Sequence, residues 1–142
     1  MRSYTEEEYN KITAQIIEAA IEVHKELGPG LLESVYEVCL IAAMKERGFY
    51  VQRQLVLPVH YKGQALDKDF MIDVLVNDLI VLELKSVEGI LPIHEAQLVP
   101  YLKLSNKKLG LLINFNVPLL KEGIRRKING NLKEQSISNK LN

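Results

Sequence analysis

The sequence predicts an α/β fold, a mixed central sheet flanked by helices. Two stretches before residue 48 repeat apolar residues at helical spacing, and strand-like runs occupy 49–87. A third helical stretch then precedes one more apolar strand. Strands in one run plus a crossover helix build a mixed sheet with helices packed on it.

The first helix is expected over 6–26. Thr5 is its N-cap, Glu6, Glu7 and Glu8 suit the first turn, and Ile12, Ile16, Ala20, Val23 and Leu27 make one apolar stripe. Gly28, Pro29 and Gly30 break it. A second helix is expected over 31–47, ended by Gly48. Val35, Val38, Cys39, Ala42 and Ala43 form its apolar face, with Glu33, Glu37, Leu40 and Met44 on a neighbouring face beside Tyr36. The region 49–61 is strand-like, with Pro58 marking an edge or a bulge. Lys62, Gly63 and Gln64 form a turn, and strands are expected over 69–76 and 80–87. A loop with Gly89 and Pro92 leads to a third helix over 93–104, followed by a strand over 108–114. Pro118 interrupts, residues 119–128 hold a short element of unassigned type, and 131–142 form a polar tail after a single domain of residues 1–130. The order is α-α-β-β-β-α-β and then the short element.

Composition bounds the function. The chain has 142 residues, 47% hydrophobic and 25% charged, which suits one soluble domain. Lys+Arg and Asp+Glu each number 18, so a strongly basic nucleic-acid-binding chain is excluded and any phosphate-binding surface is local. A single cysteine, Cys39, permits no internal disulfide and fits a reducing compartment. No apolar run approaches the roughly 18 residues of a membrane span, and the N-terminus lacks a signal-peptide core. A cytoplasmic protein is expected.

The stretch 73–85 organises the chain. Its two strands meet at a turn containing Asn77 and Asp78. A two-residue turn would pair Val76 with Leu79 and point Asp73 and Glu83 to opposite faces. A three-residue loop, 77–79, pairs Val76 with Ile80 and sets Asp73 opposite Glu83 and Met71 opposite Lys85. The apolar pattern selects the second register. Phe70, Ile72, Val74 and Val76 form one apolar face of the first strand, and Ile80, Leu82 and Leu84 form one of the second. Both are buried together only in that register or with an equivalent bulge, and each buried aliphatic side chain contributes about 1.5–3 kcal/mol.

Asp73, Glu83 and Lys85 then share a half-buried face. Two adjacent carboxylates repel, and a divalent cation relieves the repulsion through hard oxygen ligands of the kind Mg2+ prefers. Lys85 is placed to hold a phosphate oxygen or an attacking water and to offset developing charge. The alternative reading of the same residues is a solvated ion cluster with no metal. Glu33, near a helix start, is read from position alone as a carboxylate complementing the helix dipole.

Gly30, Glu33 and Tyr36 stand at a Gly-x-x-Glu-x-x-Tyr spacing. With the segments 27–37, 81–85, 94–97, 111–115 and 123–126, the chain resembles the GxxExxY family, placed in the PD-(D/E)xK nuclease-like superfamily. The resemblance spans about 16–128. It implies a restriction-endonuclease-like core (α-β-β-β-α-β) with the active centre on the central hairpin. It implies Asp73, Glu83 and Glu33 as ligands of Mg2+ (or Mn2+) and Lys85 as a catalytic residue. Glu33 also joins the catalytic set, and Gln97 and Tyr101 match a Gln-x-x-x-Tyr feature that orients the site or touches nucleic acid. The sequence departs from the family pattern in two places. Met71 stands where relatives often carry Arg, and Pro100 lies between Gln97 and Tyr101, where it kinks the helix or makes it irregular.

Other candidates are read locally. His94 makes a helix-start hydrogen bond, and His24 is structural. Lys103, Lys107 and Lys108 are solvated structural cations, while Arg125 and Arg126, beside Lys127, are candidate nucleic-acid contacts. The reading is a Mg2+-dependent nuclease hydrolysing phosphodiester bonds, in DNA more than RNA, working as a homodimer or with a partner subunit. The alternative is a non-catalytic nucleic-acid-binding or assembly protein that retains the fold.

Overall fold

The computed structural model describes residues 3–132. Helices α1 (Glu6–Leu27) and α2 (Glu33–Glu46) lead into strands β1 (Val51–Tyr61), β2 (Gln64–Val76) and β3 (Ile80–Lys85). Helix α3 (Pro92–Ser105) crosses over to β4 (Leu109–Asn114), and a 3-10 turn (Leu120–Gly123) enters β5 (Ile124–Ile128). The sheet order is β1-β2-β3-β4-β5, with β3 and β4 parallel and the other neighbours antiparallel. The expected mixed sheet and α-β-β-β-α-β core are present. The short terminal element resolves into the 3-10 turn and a fifth strand at the sheet edge. Among the described residues no helix is long and apolar enough to cross a membrane.

α1 begins as expected. Thr5 accepts the Glu8 N–H and Glu8 returns a bond to the Thr5 N–H, a reciprocal cap. α2 differs from expectation in its buried face. Tyr36, Leu40, Ile41 and Met44 are buried along with Ala43, whereas Val38 is 47% exposed. The helix is apolar nearly all round, so its periodicity does not choose a stripe. The Tyr36 ring chooses it by stacking on Phe115, with centroids 4.4 Å apart and planes 5° from parallel. Gly48, at φ +86°, turns the chain out of the helix.

β1 and β2 form a long hairpin closed at Lys62 and Gly63, both in the left-handed region. That tight turn extends β2 back to Gln64, five residues before the expected start at 69. Pro58 sits where the β1–β2 register shifts, and β1 is an edge strand, so both expected roles are met. At the next turn Val76 pairs with Ile80, as the three-residue loop requires. Asn77 and Asp78 take left-handed conformations, and the Leu79 N–H bonds the Val76 carbonyl at 2.9 Å.

The register holds, but the single apolar face of β2 does not. Val74 and Val76 pack with α1 and α2, while Ile72 packs with Leu98 and Leu102 of α3. The faces change over at Asp73. The β2–β3 ladder also ends at Val74 and Leu82, so Met71 does not oppose Lys85 and instead pairs with Val56 of β1.

α3 runs as one helix through Pro100, so the stretch is not interrupted there. Leu98 and Leu102 pin it to the sheet against Gly110, where a Cβ would stand 3.0 Å from the Leu98 side chain. Leu132, just past the expected boundary at 130, is buried as a member of the main hydrophobic cluster. The rest of the expected tail, 133–142, lies outside the described residues.

Candidate active site

The site forms where β2 and β3 part. Beyond the Val74–Leu82 pair, the Asp73 carboxylate replaces a backbone acceptor, and its Oδ2 receives the Leu84 N–H at 3.0 Å. Glu83 lies beside it, half-buried, and the two carboxyls share a hydrogen bond. Burial, that bond and the charge of Asp73 push Glu83 up to about 9. Lys85 pulls in the opposite direction, and Glu33 adds to the rise. The protonated form of Glu83 is therefore favoured near neutrality. Four of the expected residues, Asp73, Glu83, Lys85 and Glu33, thus fall within one electrostatic neighbourhood.

The chain beyond Lys85 is tied down on two sides. The Lys85 carbonyl accepts from Phe115 N–H at 3.0 Å. The Asn114 side chain, 1% exposed, takes both backbone groups of Val87, at 3.0 and 2.9 Å. This side-chain pairing ends β3 at Lys85 rather than at the expected 87. Ser86 Oγ donates to the Leu31 carbonyl at 2.5 Å, joining β3 to the loop before α2. The same loop is held by Tyr36, whose hydroxyl donates to Gly28 O at 2.5 Å and accepts from Leu31 N at 3.2 Å. Tyr36 thus fixes the start of α2, where Glu33 stands exposed in the first turn.

An open cleft of about 380 Å3 lies between α2 and the diverging strands, lined by Leu32, Glu33, Ser34, Glu37, Gln54, Asp73 and Leu84. Its volume is in the range of small-ligand sites. Glu37 is only 5% exposed and accepts from Arg53 Nη2 and Gln54 Nε2, each at 2.9 Å. Neither Glu37 nor Gln54 stood among the expected site residues. Glu37 had a signal in its four-residue offset from Glu33 on one helix face. Gln54 had none, since glutamine carries no preference for the backbone it adopts.

Other expected residues stand apart from the cleft walls. Gln97 is exposed on α3, and Tyr101 packs at a tilt against Phe70, centroids 5.7 Å apart. Arg125 and Lys127 both approach Glu95 of α3, at 3.7 and 3.1 Å, whereas Arg126 donates to Asn10 of α1 at 2.6 Å. Consecutive on β5, Arg125 and Arg126 serve opposite faces of the sheet and cannot grip one ligand together. His94 Nδ1 accepts the Leu91 N–H at 3.0 Å, the expected helix-start bond. His24 is buried and bonds the Val117 carbonyl at 2.8 Å, a structural contact as expected. Lys107 pairs with Asp78 at 3.1 Å.

The family model described as the PD-(D/E)XK nuclease superfamily matches residues 10–127. The chain belongs to the PD-(D/E)XK nuclease superfamily. A search of curated proteins finds no match, and neither does a search of solved structures. Asp73, Glu83 and Lys85 stand at an acid, acid-x-lysine spacing on the hairpin of β2 and β3. The donor set suits a hard divalent ion, since two neighbouring carboxyl groups offer oxygen ligands whose mutual repulsion a cation would relieve. Among the described residues no three His, Cys, Asp or Glu side chains are grouped closely enough to form a ready-made metal cluster. The carboxylate pair is assembled, and Glu33 acts on it from a distance.

Proposed function

We propose that this PD-(D/E)XK protein is a Mg2+- or Mn2+-dependent nuclease that hydrolyses phosphodiester bonds, in DNA more than in RNA. The observation that carries the reading is the Asp73–Glu83 pair, held half-buried with Lys85 on the same strand. Superfamily membership supports a nucleic-acid substrate. Asp73 and Glu83 would hold the ion, with Asp73 oriented by the Leu84 N–H. A divalent ion held there would supply Lewis acidity to the phosphoryl group and would lower the pKa of a bound water. Lys85 Nζ stabilises negative charge gathering on the phosphoryl oxygens. Glu33, exposed at the cleft, accepts a hydrogen bond from the attacking water and orients it.

Cleavage of single- and double-stranded DNA and RNA with Mg2+ or Mn2+ tests this. The wild type is expected to cut DNA, and chelation stops it. Asp73→Ala and Lys85→Ala each lower the rate by about a hundredfold or more, the scale for losing one charge-stabilising group. Activity that survives both substitutions rejects the site. The lack of a three-ligand cluster among the described residues favours one second reading, a non-catalytic binding or assembly protein. That protein would retain nucleic acid and leave it uncut under every condition above.

A further inference from the structure

Two neighbouring strands change face at the same level of the sheet. In β1, Val51 packs with the α1–α2 core, whereas Leu55 and Leu57 pack on the α3 side. In β2, Val74 and Val76 lie with α1 and α2, whereas Ile72 and Phe70 lie with α3. The β1–β2 pairing runs regularly through Arg53–Val74 and Leu55–Ile72, and between these pairs stand Gln54 and Asp73. Gln54 has φ +51°, a left-handed conformation that a non-glycine residue within a strand adopts only under constraint. The constraint is visible: Gln54 Nε2 donates to buried Glu37, which also takes Arg53 Nη2. Glu37, Gln54 and Asp73 line the same cleft.

We propose that Glu37 is a positioning residue that, by anchoring Gln54 in its left-handed conformation, sets where the Asp73 carboxylate stands. The local face change turns Asp73 toward α2 and leaves its Oδ2 on the Leu84 N–H. A regular β1 would keep Asp73 in simple alternation with Ile72 and Val74 and withdraw it from Leu84. The functional weight of this placement rests on the nuclease reading above, whereas the placement itself can be measured in the metal-free protein.

Amide hydrogen exchange at Leu84 reports the Asp73 contact, and the Leu82 amide serves as the internal control. Asp73→Ala establishes the signal. Glu37→Ala is expected to speed Leu84 exchange by about tenfold relative to Leu82, as for loss of one local hydrogen bond. Gln54→Val, which resists a left-handed backbone, gives the same rise, while Gln54→Gly leaves Leu84 protected. In Glu37→Ala/Gln54→Gly, where glycine reaches the conformation unaided, protection returns to within about threefold of wild type. Calorimetric Mn2+ affinity follows the same order. Leu84 protection unchanged in Gln54→Val, or a rise shared equally by Leu82, overturns the proposal. If Glu37→Ala does not fold, Gln54→Val against Gln54→Gly decides, and equal protection in that pair overturns it. A wild type that binds no Mn2+ and cuts nothing removes the nuclease reading and leaves the exchange result standing.

Discussion

Glu83 makes the metal-free protein sensitive to pH in a direction opposite to that of most paired carboxylates. Its folded value of about 9 lies above its ordinary 4.5, so between these limits the folded chain holds a proton that the unfolded chain releases. Its stabilising contribution is complete below about 4.5 and is lost as pH rises toward 9. Urea melts in chelator are therefore expected to show stability falling from pH 5 to pH 9, and Glu83→Gln flattens that component. A divalent ion competes with the proton, so Mn2+ binds more tightly as pH rises across the same window. Equal Mn2+ affinity at pH 6 and pH 8.5 would contradict the assignment. The Val76–Ile80 register that brings Asp73 near Glu83 was legible in the sequence, although the single apolar face of β2 that selected it breaks at Asp73. The electrostatic state of the two carboxyls was not, because it depends on how far the strands part and how much water reaches the gap.

At the level of elements, the loop from α1 to α2 links the helical layer to the site. Tyr36→Phe removes the hydroxyl that bridges Gly28 and Leu31 and keeps the stack on Phe115. It is expected to lower stability by about 1–2 kcal/mol, measured by denaturant melts. Cleavage falls further than stability does, since Glu33 loses its fixed start. A second contact is harder. A Cβ on Gly123 would lie 2.2 Å from the Asn114 carbonyl oxygen, in backbone that cannot yield. Gly123→Ala is expected to destabilise the fold by about 3 kcal/mol or more, read from the thermal midpoint, and to release the Val87 segment that Asn114 holds. The elements themselves were readable: α1 from its cap and stripe, the hairpins from their turns, and the crossover from a helix between apolar strands. α2's face was not, because Val38 and Leu40 compete equally until Phe115 is in place. Nor was the continuity of α3 at Pro100, since an exposed helical face tolerates a missing donor that an isolated helix would not.

At the scale of the whole molecule, several cations are held in ion pairs among the described residues. Arg47 bonds Glu18 and Glu22, Arg53 bonds Glu37, Lys107 bonds Asp78, and Arg125 and Lys127 share Glu95. With no net charge, the chain has little long-range attraction for a polyanion. Its nucleic-acid affinity is expected to fall only gently with salt, with a log–log slope corresponding to about three neutralised phosphates or fewer. Fluorescence anisotropy across a salt series measures this, and a slope near that of a basic groove binder would mean that these ion pairs open on binding. Balanced composition was plain in the sequence. Which cations pair was not, since Glu95 and Lys127 are brought together only by the fold.

The same irregularities in β1 bear on how this protein behaves at high concentration. An eleven-residue strand on the rim of a sheet, with Val56 and Tyr61 exposed, offers free backbone groups to any passing strand. Pro58 withholds one donor, the register shift beside it bends the rim, and left-handed Gln54 rotates the backbone again. No straight run long enough to template a second chain remains, so the bend that places a carboxylate also guards the molecule against strand-to-strand aggregation.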